Sequence, residues 1–330
     1  MMSFMDFTEA SRSFVRPLDV RRDLHGVADL IELCFARTLD ADGRDYIRHI
    51  RRAANDTRYL HWLPGAGENV SIPLHGYVWE EDQRLVGNLS LIPFYYHSRW
   101  IYLIANVAVH PAYRRRGIAR QLTQTALEHV HSHGAAAAWL QVRDDNEAAH
   151  QLYRSLGFVE RARRTTWQSV FAPPYQPGTP PPPAEIGPRR KQDWRRHQEW
   201  LSAVYPPYVA WNLSFMPGRF APSLWGWIMR LFYQEALTHV AVRRNDELLG
   251  LLSWEPGRLY SDTLWLAPNP LHQDSALHAL LDYARRRLET RRPLSTNYPA
   301  GQGIQAFRDC GFEALNTLIW MEVRYDPHLF

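Results

Sequence analysis

Two short segments of the chain repeat in the same order, and this repeat limits the fold more than any other feature. Gln151-Leu-Tyr-Arg-Ser-Leu-Gly-Phe158 aligns with Gln305-Ala-Phe-Arg-Asp-Cys-Gly-Phe312. Glutamine, arginine, glycine and phenylalanine coincide, and tyrosine faces phenylalanine. Upstream, Asp82-Gln-Arg-Leu-Val-Gly-Asn-Leu-Ser90 resembles Asp246-Glu-Leu-Leu-Gly-Leu-Leu-Ser253 with one residue deleted. A strong helical pattern lies between the two segments in each copy. Such an ordered repeat implies two copies of one α/β fold, and 330 residues suffice for two domains.

The boundary falls in Phe171–Pro188, which holds eight prolines. They forbid a helix or an internal strand and favour an extended linker. The expected division is an N-terminal domain at 1–170, a linker at 171–188 and a second domain at 189–330.

In the first copy, strands are expected at Phe14–Pro17, Tyr77–Trp79, Leu85–Pro93, Trp100–Val109, Ala137–Val142 and Phe158–Trp167, the last closing the domain. Helices are expected at Asp23–Arg37, Asp42–Ala54 and Ile118–His133, with a short one capped by Asn146 and ended by Gly157. In the second copy, Thr238–Arg243 and Leu248–Trp254 read as a hairpin. Ser275–Glu289 and Gln302–Cys310 read as helices, and Leu294–Tyr298 as a strand. The aromatic segment Trp194–Tyr233 reads as helical pieces that form core, with the lining of an acceptor pocket as the alternative.

One stretch carries chemistry. Val107-Ala-Val-His-Pro-Ala-Tyr-Arg-Arg-Arg-Gly-Ile-Ala-Arg120 runs from a strand through a proline turn and three arginines to a glycine that opens a helix. A helix start offers unpaired N–H groups and the positive end of its dipole, so it suits an anion. Gly117 lets the backbone turn sharply and approach a ligand. Ala119 keeps the first turn small. Arg114, Arg115, Arg116 and Arg120 add cationic donors at the rim. The loop reads as a diphosphate holder, against the plainer reading of a solvated arginine surface.

Arg114-x-x-Gly117-x-Ala119 resembles the acetyl-CoA loop, Q/R-x-x-G-x-G/A, of the GNAT (Gcn5-related N-acetyltransferase) superfamily. Leu140–Asn146 and Gln151–Phe158 are similar to that family's second signature. The spacing across Val107–Phe158 is close to that of ribosomal-protein alanine N-acetyltransferases. The resemblance extends over Phe14–Thr166, and an orderly, weaker likeness covers Arg189–Tyr325. It implies two tandem GNAT-like domains, each a mixed, mostly antiparallel sheet flanked by helices, with the second copy degenerate.

The resemblance also implies roles. Backbone groups of Val107, Ala108 and Val109 would pair with the pantetheine arm of acetyl-CoA. Amides from Arg115 through Arg116, Gly117, Ile118 and Ala119 to Arg120 would hold the pyrophosphate. Asn146 would contact the arm, and Tyr153 would protonate the departing thiolate. The activity implied is acetyl transfer to a primary amine, small molecule or peptide, in the N-terminal domain. The alternative is a non-catalytic acyl-CoA-binding or interaction module, and a longer acyl chain is a third possibility.

The pattern breaks at the general base. Gln141 and Leu103 stand where relatives carry glutamate, and neither takes a proton. A water chain or another carboxylate, with Glu32, Glu68 and Asp145 as guesses, would have to serve. The second copy has Phe307 in place of the tyrosine. Leu264–Leu271 stands in place of the loop without arginine or glycine, so no productive CoA binding is expected there.

The remaining features exclude other classes. His129 and His133 lie one helical turn apart, but no third ligand is visible, and histidines suit a helix C-terminus, so no metal is expected. The formal charge of +4 is too small an excess to argue for nucleic acid, and a solvated helix face explains Arg189–Arg196. No apolar run is long enough for a membrane span. Two distant cysteines, Cys34 and Cys310, and the absence of a secretory pattern point to a reducing cytoplasm.

Overall fold

The computed structural model describes residues 14–39, 41–56, 75–170, 184–213, 215–222, 237–257, 260–289 and 292–326. Most of the proline-rich segment, Glu68 and the aromatic stretch beyond residue 222 lie outside them. Two compact units form. The first comprises Met1–Leu140, Leu152–Gly157 and Val323–Leu329, and the second Gln141–Gln151 and Phe158–Glu322, each in its described residues.

In the first unit, strands β1 (Val15–Pro17), β2 (Gly76–Glu81), β3 (Arg84–Tyr96), β4 (Arg99–Val109) and β5 (Ala137–Arg143, through Leu140) follow one another across the sheet. Every pair is antiparallel except β4 with β5. Helices α1 (Val20–Phe35) and α2 (Ala41–Asn55) bury Leu24, Val27, Ile31, Ile47 and Ile50 against each other. Each such side chain contributes about 1.5–3 kcal/mol of burial. Helix α3 (Ile118–Ser132) buries Ile118, Leu122, Ala126 and Val130, the expected stripe.

The second unit orders its strands β12-β6-β11-β10-β9-β8-β7. These are β6 (Val159–Ser169), β7 (Glu185–Pro188), β8 (Thr238–Arg244), β9 (Glu247–Glu255), β10 (Asp262–Pro268), β11 (Leu294–Pro299) and β12 (Phe312–Arg324). Again a single pair, β10 with β11, is parallel. Both units therefore have the expected mixed, mostly antiparallel sheet. The pieces of the aromatic segment within the described residues are core: Trp200, Tyr205, Phe215 and Phe220 are buried in the main apolar cluster.

The repeat has a physical cause in each copy. Asp82–Gln83 and Asn245–Asp246 all take positive φ (50° to 66°), the two-residue hairpin turn that fits twisted strands. A Cβ at Gly87 would lie 2.9 Å from Ile118 Cγ2, and one at Gly250 would lie 3.1 Å from Leu280 Cδ1. The repeated glycine lets a helix lie close on the sheet, and in the first unit that helix is α3.

Four strands were not legible as they stand. The strand expected to close the N-terminal domain, β6, pairs with β11 (Gln168↔Ser295 to Arg164↔Pro299) on one edge and with β12 (Ser169↔Phe312 to Val159↔Glu322) on the other. Strand β12 was not anticipated, nor was β10, part of which falls in the stretch Leu264–Leu271 expected to stand in place of the loop. Glu185–Pro188 ends the proline-rich segment as a strand whose single neighbour among the described residues is β8, a position that tolerates proline.

Candidate functional site

In the first unit β4 and β5 pair only from Ile101↔Ala137 to Ile104↔Leu140. Beyond that, Ala105–Val109 continue as a strand hydrogen-bonded to β3. The β3–β4 register shifts between Asn88↔Ala108 and Ser90↔Ala105, so Asn106 and Val107 form a bulge, with Asn106 at φ 52°. Val107, Ala108 and Val109 thus sit on a strand edge that β5 has left.

The chain then turns through a short 3-10 helix, Pro111–Tyr113, capped by His110. Arg115 follows at φ 66° and Gly117 at φ 80°, and α3 starts at Ile118. A left-handed conformation is costly for a side-chain-bearing residue, and its presence at Arg115 marks a segment whose shape is imposed by its surroundings. A Cβ on Gly117 would meet nothing within 4 Å. Space is open there, and only the backbone angle demands glycine.

The arginines divide their work. Arg114 Nε donates to Val109 O at 3.2 Å, stitching the loop to the strand. Arg116 pairs with Glu81 (3.0 Å) and lies 5.3 Å from the centroid of the Tyr113 ring. Arg120 Nη2 donates to Ser155 Oγ at 2.8 Å. Arg115 and Ala119 complete the turn, with Arg115 exposed and Ala119 half-buried.

Tyr153 is in the same unit, two residues before Ser155, so the Arg120 bond ties the Leu152–Ser155 end of its helix to the start of α3. The phenol is 7% exposed, and burial pushes its pKa up. It therefore stays protonated across ordinary pH and has a proton to give. Asn146 is grouped with the second unit. Its Oδ1 accepts from Ala149 N–H at 3.2 Å, the cap expected for helix α4 (Glu147–Ser155).

Nothing in the base positions gains a proton acceptor. Leu103 is paired with Ile92 and Trp139. Gln141 Nε2 donates to Asn212 Oδ1 at 2.7 Å. Glu32 is held by Arg51 at 2.6 Å. Asp145 is held by Arg143 at 2.7 Å, and that bond keeps its carboxyl below the usual range. His129 and His133 stack at 3.9 Å, His129 Nδ1 meets the Tyr77 hydroxyl at 3.0 Å, and burial pushes the His129 imidazole down. Among the described residues no cluster of three metal-ligating side chains occurs, and no helix is long and apolar enough to cross a membrane.

The second unit has the same frame without the same loop. Its 3-10 turn, Pro270–His272, runs directly into helix α5 (Gln273–Arg287), so nothing corresponds to residues 114–117. Strand β10 pairs with β11 only at Asp262↔Leu294 and Thr263↔Ser295. On the strand beyond, the Tyr205 hydroxyl accepts from Leu266 N–H at 3.3 Å, and Phe215 and Trp265 pack on the Tyr205 ring. Tyr205→Phe orphans that buried amide and is expected to cost about 1–3 kcal/mol. A urea unfolding series should show a lower midpoint with an unchanged slope.

Comparison with known proteins gives a consistent set of matches. Residues 38–158 match the sequence model of the family described as acetyltransferase (GNAT) family. The [ribosomal protein bS18]-alanine N-acetyltransferase of Escherichia coli (strain K12) is 42% identical over 62 residues, which are 19% of this chain and 42% of that protein. The chain thus spans less than half of that relative's length. The N-alpha-acetyltransferase RimI of Mycobacterium tuberculosis is 42% identical over 111 residues, 33% of this chain and 68% of that protein. A crystal structure of a GCN5-related N-acetyltransferase from Sphaerobacter thermophilus superposes with a TM-score of 0.57 over 94% of this chain and 96% of its own, at 14% identity. That likeness concerns the fold, and it covers both copies.

Proposed function

Because this chain belongs to the GNAT acetyltransferase family, we propose that it transfers an acetyl group from acetyl-CoA to a primary amine, with the reaction centred on the N-terminal copy. The observation that carries this reading is the join of β4 to α3. A strand edge that β5 has left leads into a loop whose Gly117, at φ 80°, opens a helix start onto free space.

In this reading the edge Val107–Val109 holds the pantetheine arm by strand-like hydrogen bonds. The N–H groups from Arg115 to Arg120 hold the pyrophosphate, and the arginine side chains screen its charge. Holding the two reactants together removes much of the entropic barrier. A backbone amide of the β4 edge polarises the thioester carbonyl as charge develops on its oxygen. The amine attacks the carbonyl carbon, the C–S bond breaks, and Tyr153 protonates the sulfur while the amine's proton leaves to solvent and the Tyr153 phenolate takes one back from solvent. With no carboxylate at 103 or 141, the acceptor amine must arrive neutral. That favours amines of low pKa, such as the α-amino group at about 7.7–8.0.

The second copy takes no CoA in this reading, since its loop is missing and Tyr205 already holds the Leu266 amide. The acetyl donor should therefore bind once per chain. Function is tested by free-thiol release from acetyl-CoA over a panel of amines that includes a peptide with N-terminal alanine. Release that rises with one of the amines is the expected result. Acetyl-CoA binding with no release from any amine would favour the second reading, a non-catalytic acyl-CoA-binding module, which the absent glutamates at 103 and 141 motivate.

A further inference from the structure

The bulge in β4 is surrounded by polar side chains, of which Asn88 and Asn106 have no polar counterpart in the second copy. Asn106 Nδ2 donates to the Tyr46 hydroxyl at 2.6 Å and to Ser90 Oγ at 3.2 Å, and Asn88 Nδ2 donates to Asn106 O at 3.0 Å. Asn88 and Ser90 are completely buried, and Asn88 Oδ1 has no hydrogen-bond partner among the described residues. A buried acceptor left unpaired costs about 1–3 kcal/mol, so packing alone gives no reason to keep it.

The two copies differ at this bulge. The repeat aligns Asn88 with Leu251, and β10 pairs with β9 without any shift. Ala105 and Ala108 correspond in register to Trp265 and Ala267, with Leu266 alone between them where the first copy has both Asn106 and Val107. The extra residue, the left-handed Asn106 and the buried Asn88 thus belong only to the copy that keeps the glycine loop and Tyr153.

Resting on the reading above, we propose that Tyr46 is a further catalytic residue, donating its O–H to the thioester carbonyl oxygen held beside the β4 bulge. Directionality supports a donor. The Asn106 amide occupies a lone pair of the Tyr46 oxygen, and among the described residues no acceptor takes the Tyr46 proton. Burial pushes the phenol up to about 12, with the Asn106 bond opposing it, so it remains protonated at neutral pH. It is half-buried, as a group at the edge of a site should be. As the amine attacks, the carbonyl π pair moves onto oxygen and Tyr46 stabilises it by a hydrogen bond without giving up its proton. The pair returns as the C–S bond breaks.

Isotope-edited infrared spectroscopy of acetyl-CoA labelled with ¹³C at the carbonyl tests this without knowledge of the acceptor. The carbonyl stretch of the bound thioester should be lower than in solution for the wild type and should move back up in Tyr46→Phe. Asn106→Leu, which frees the phenol to wander, should give an intermediate position. Calorimetry with CoA, which has no acetyl carbonyl, should give dissociation constants equal within about twofold for wild type and Tyr46→Phe, because no donor to CoA is lost. Thiol release by Tyr46→Phe should fall on the order of 100-fold, the usual effect of losing one oxyanion donor. An identical carbonyl band in wild type and both variants, with CoA affinity intact, would overturn the role of Tyr46 and leave the proposed function standing. Failure of the wild type to bind CoA at all would remove both.

Discussion

Gly117→Glu is expected to weaken acetyl-CoA binding by at least about 100-fold, that is by more than about 2.7 kcal/mol. Two effects combine. Residue 117 sits at φ 80°, where any side chain adds about 1–2 kcal/mol of strain. The new carboxylate would then project into the space that the proposed diphosphate fills. Two like charges about 4 Å apart near a protein surface repel by about 4 kcal/mol, less when salt screens them. Gly117→Ala separates the contributions, since a bare Cβ meets nothing within 4 Å. It should lose no more than about 30-fold, through backbone strain alone. Isothermal titration of both variants with acetyl-CoA measures the pair. Equal, undiminished affinity in both would mean that the loop does not hold the cofactor.

Tyr153→Phe should lower turnover by about 10²–10⁴-fold, the range typical of a lost general acid. Its affinity for CoA should stay the same. The fold accommodates the change, because the repeat already places Phe307 at the matching position of the second copy, fully buried and stacked on Trp167 at 4.7 Å. The pH profile adds a sign. The native phenol is shifted upward by burial, so the acid form persists above the ordinary tyrosine value of about 10. The wild-type kcat should therefore show no alkaline fall from this group below that pH. Full turnover in Tyr153→Phe would take the residue out of the mechanism.

The local grammar of the chain was readable because it depends on near neighbours. The strand–turn–helix at 107–120, the cap at Asn146 and the two hairpin turns all follow from turn chemistry, capping and period. Sheet neighbours are different. Alternation along Val159–Ser169 tells which face a residue takes, but it carries no label for the strand alongside. Nothing local announces that β6 lies between β11 and β12.

Side-chain assignments at the loop were likewise only partly legible. Four arginines beside a helix start suggest four rim cations. Three of them also bond Val109 O, Glu81 and Ser155, shaping the loop from within the first unit. Long-range partners set that division, and spacing cannot report them. The polar cluster at the bulge did leave a trace. Asn88, Ser90 and Asn106 interrupt largely apolar strand cores, and Asn88 faces Leu251 in the repeat. A polar residue in one copy opposite a leucine in the other is a signal that can be sought in any duplicated fold.

Calorimetric titration of the full chain with acetyl-CoA addresses the core of this account most directly. Saturable binding of one molecule per chain, lost in Gly117→Glu, is the predicted outcome. A titration of the wild type without saturable heat, checked at two temperatures so that a zero-enthalpy coincidence is removed, would contradict it.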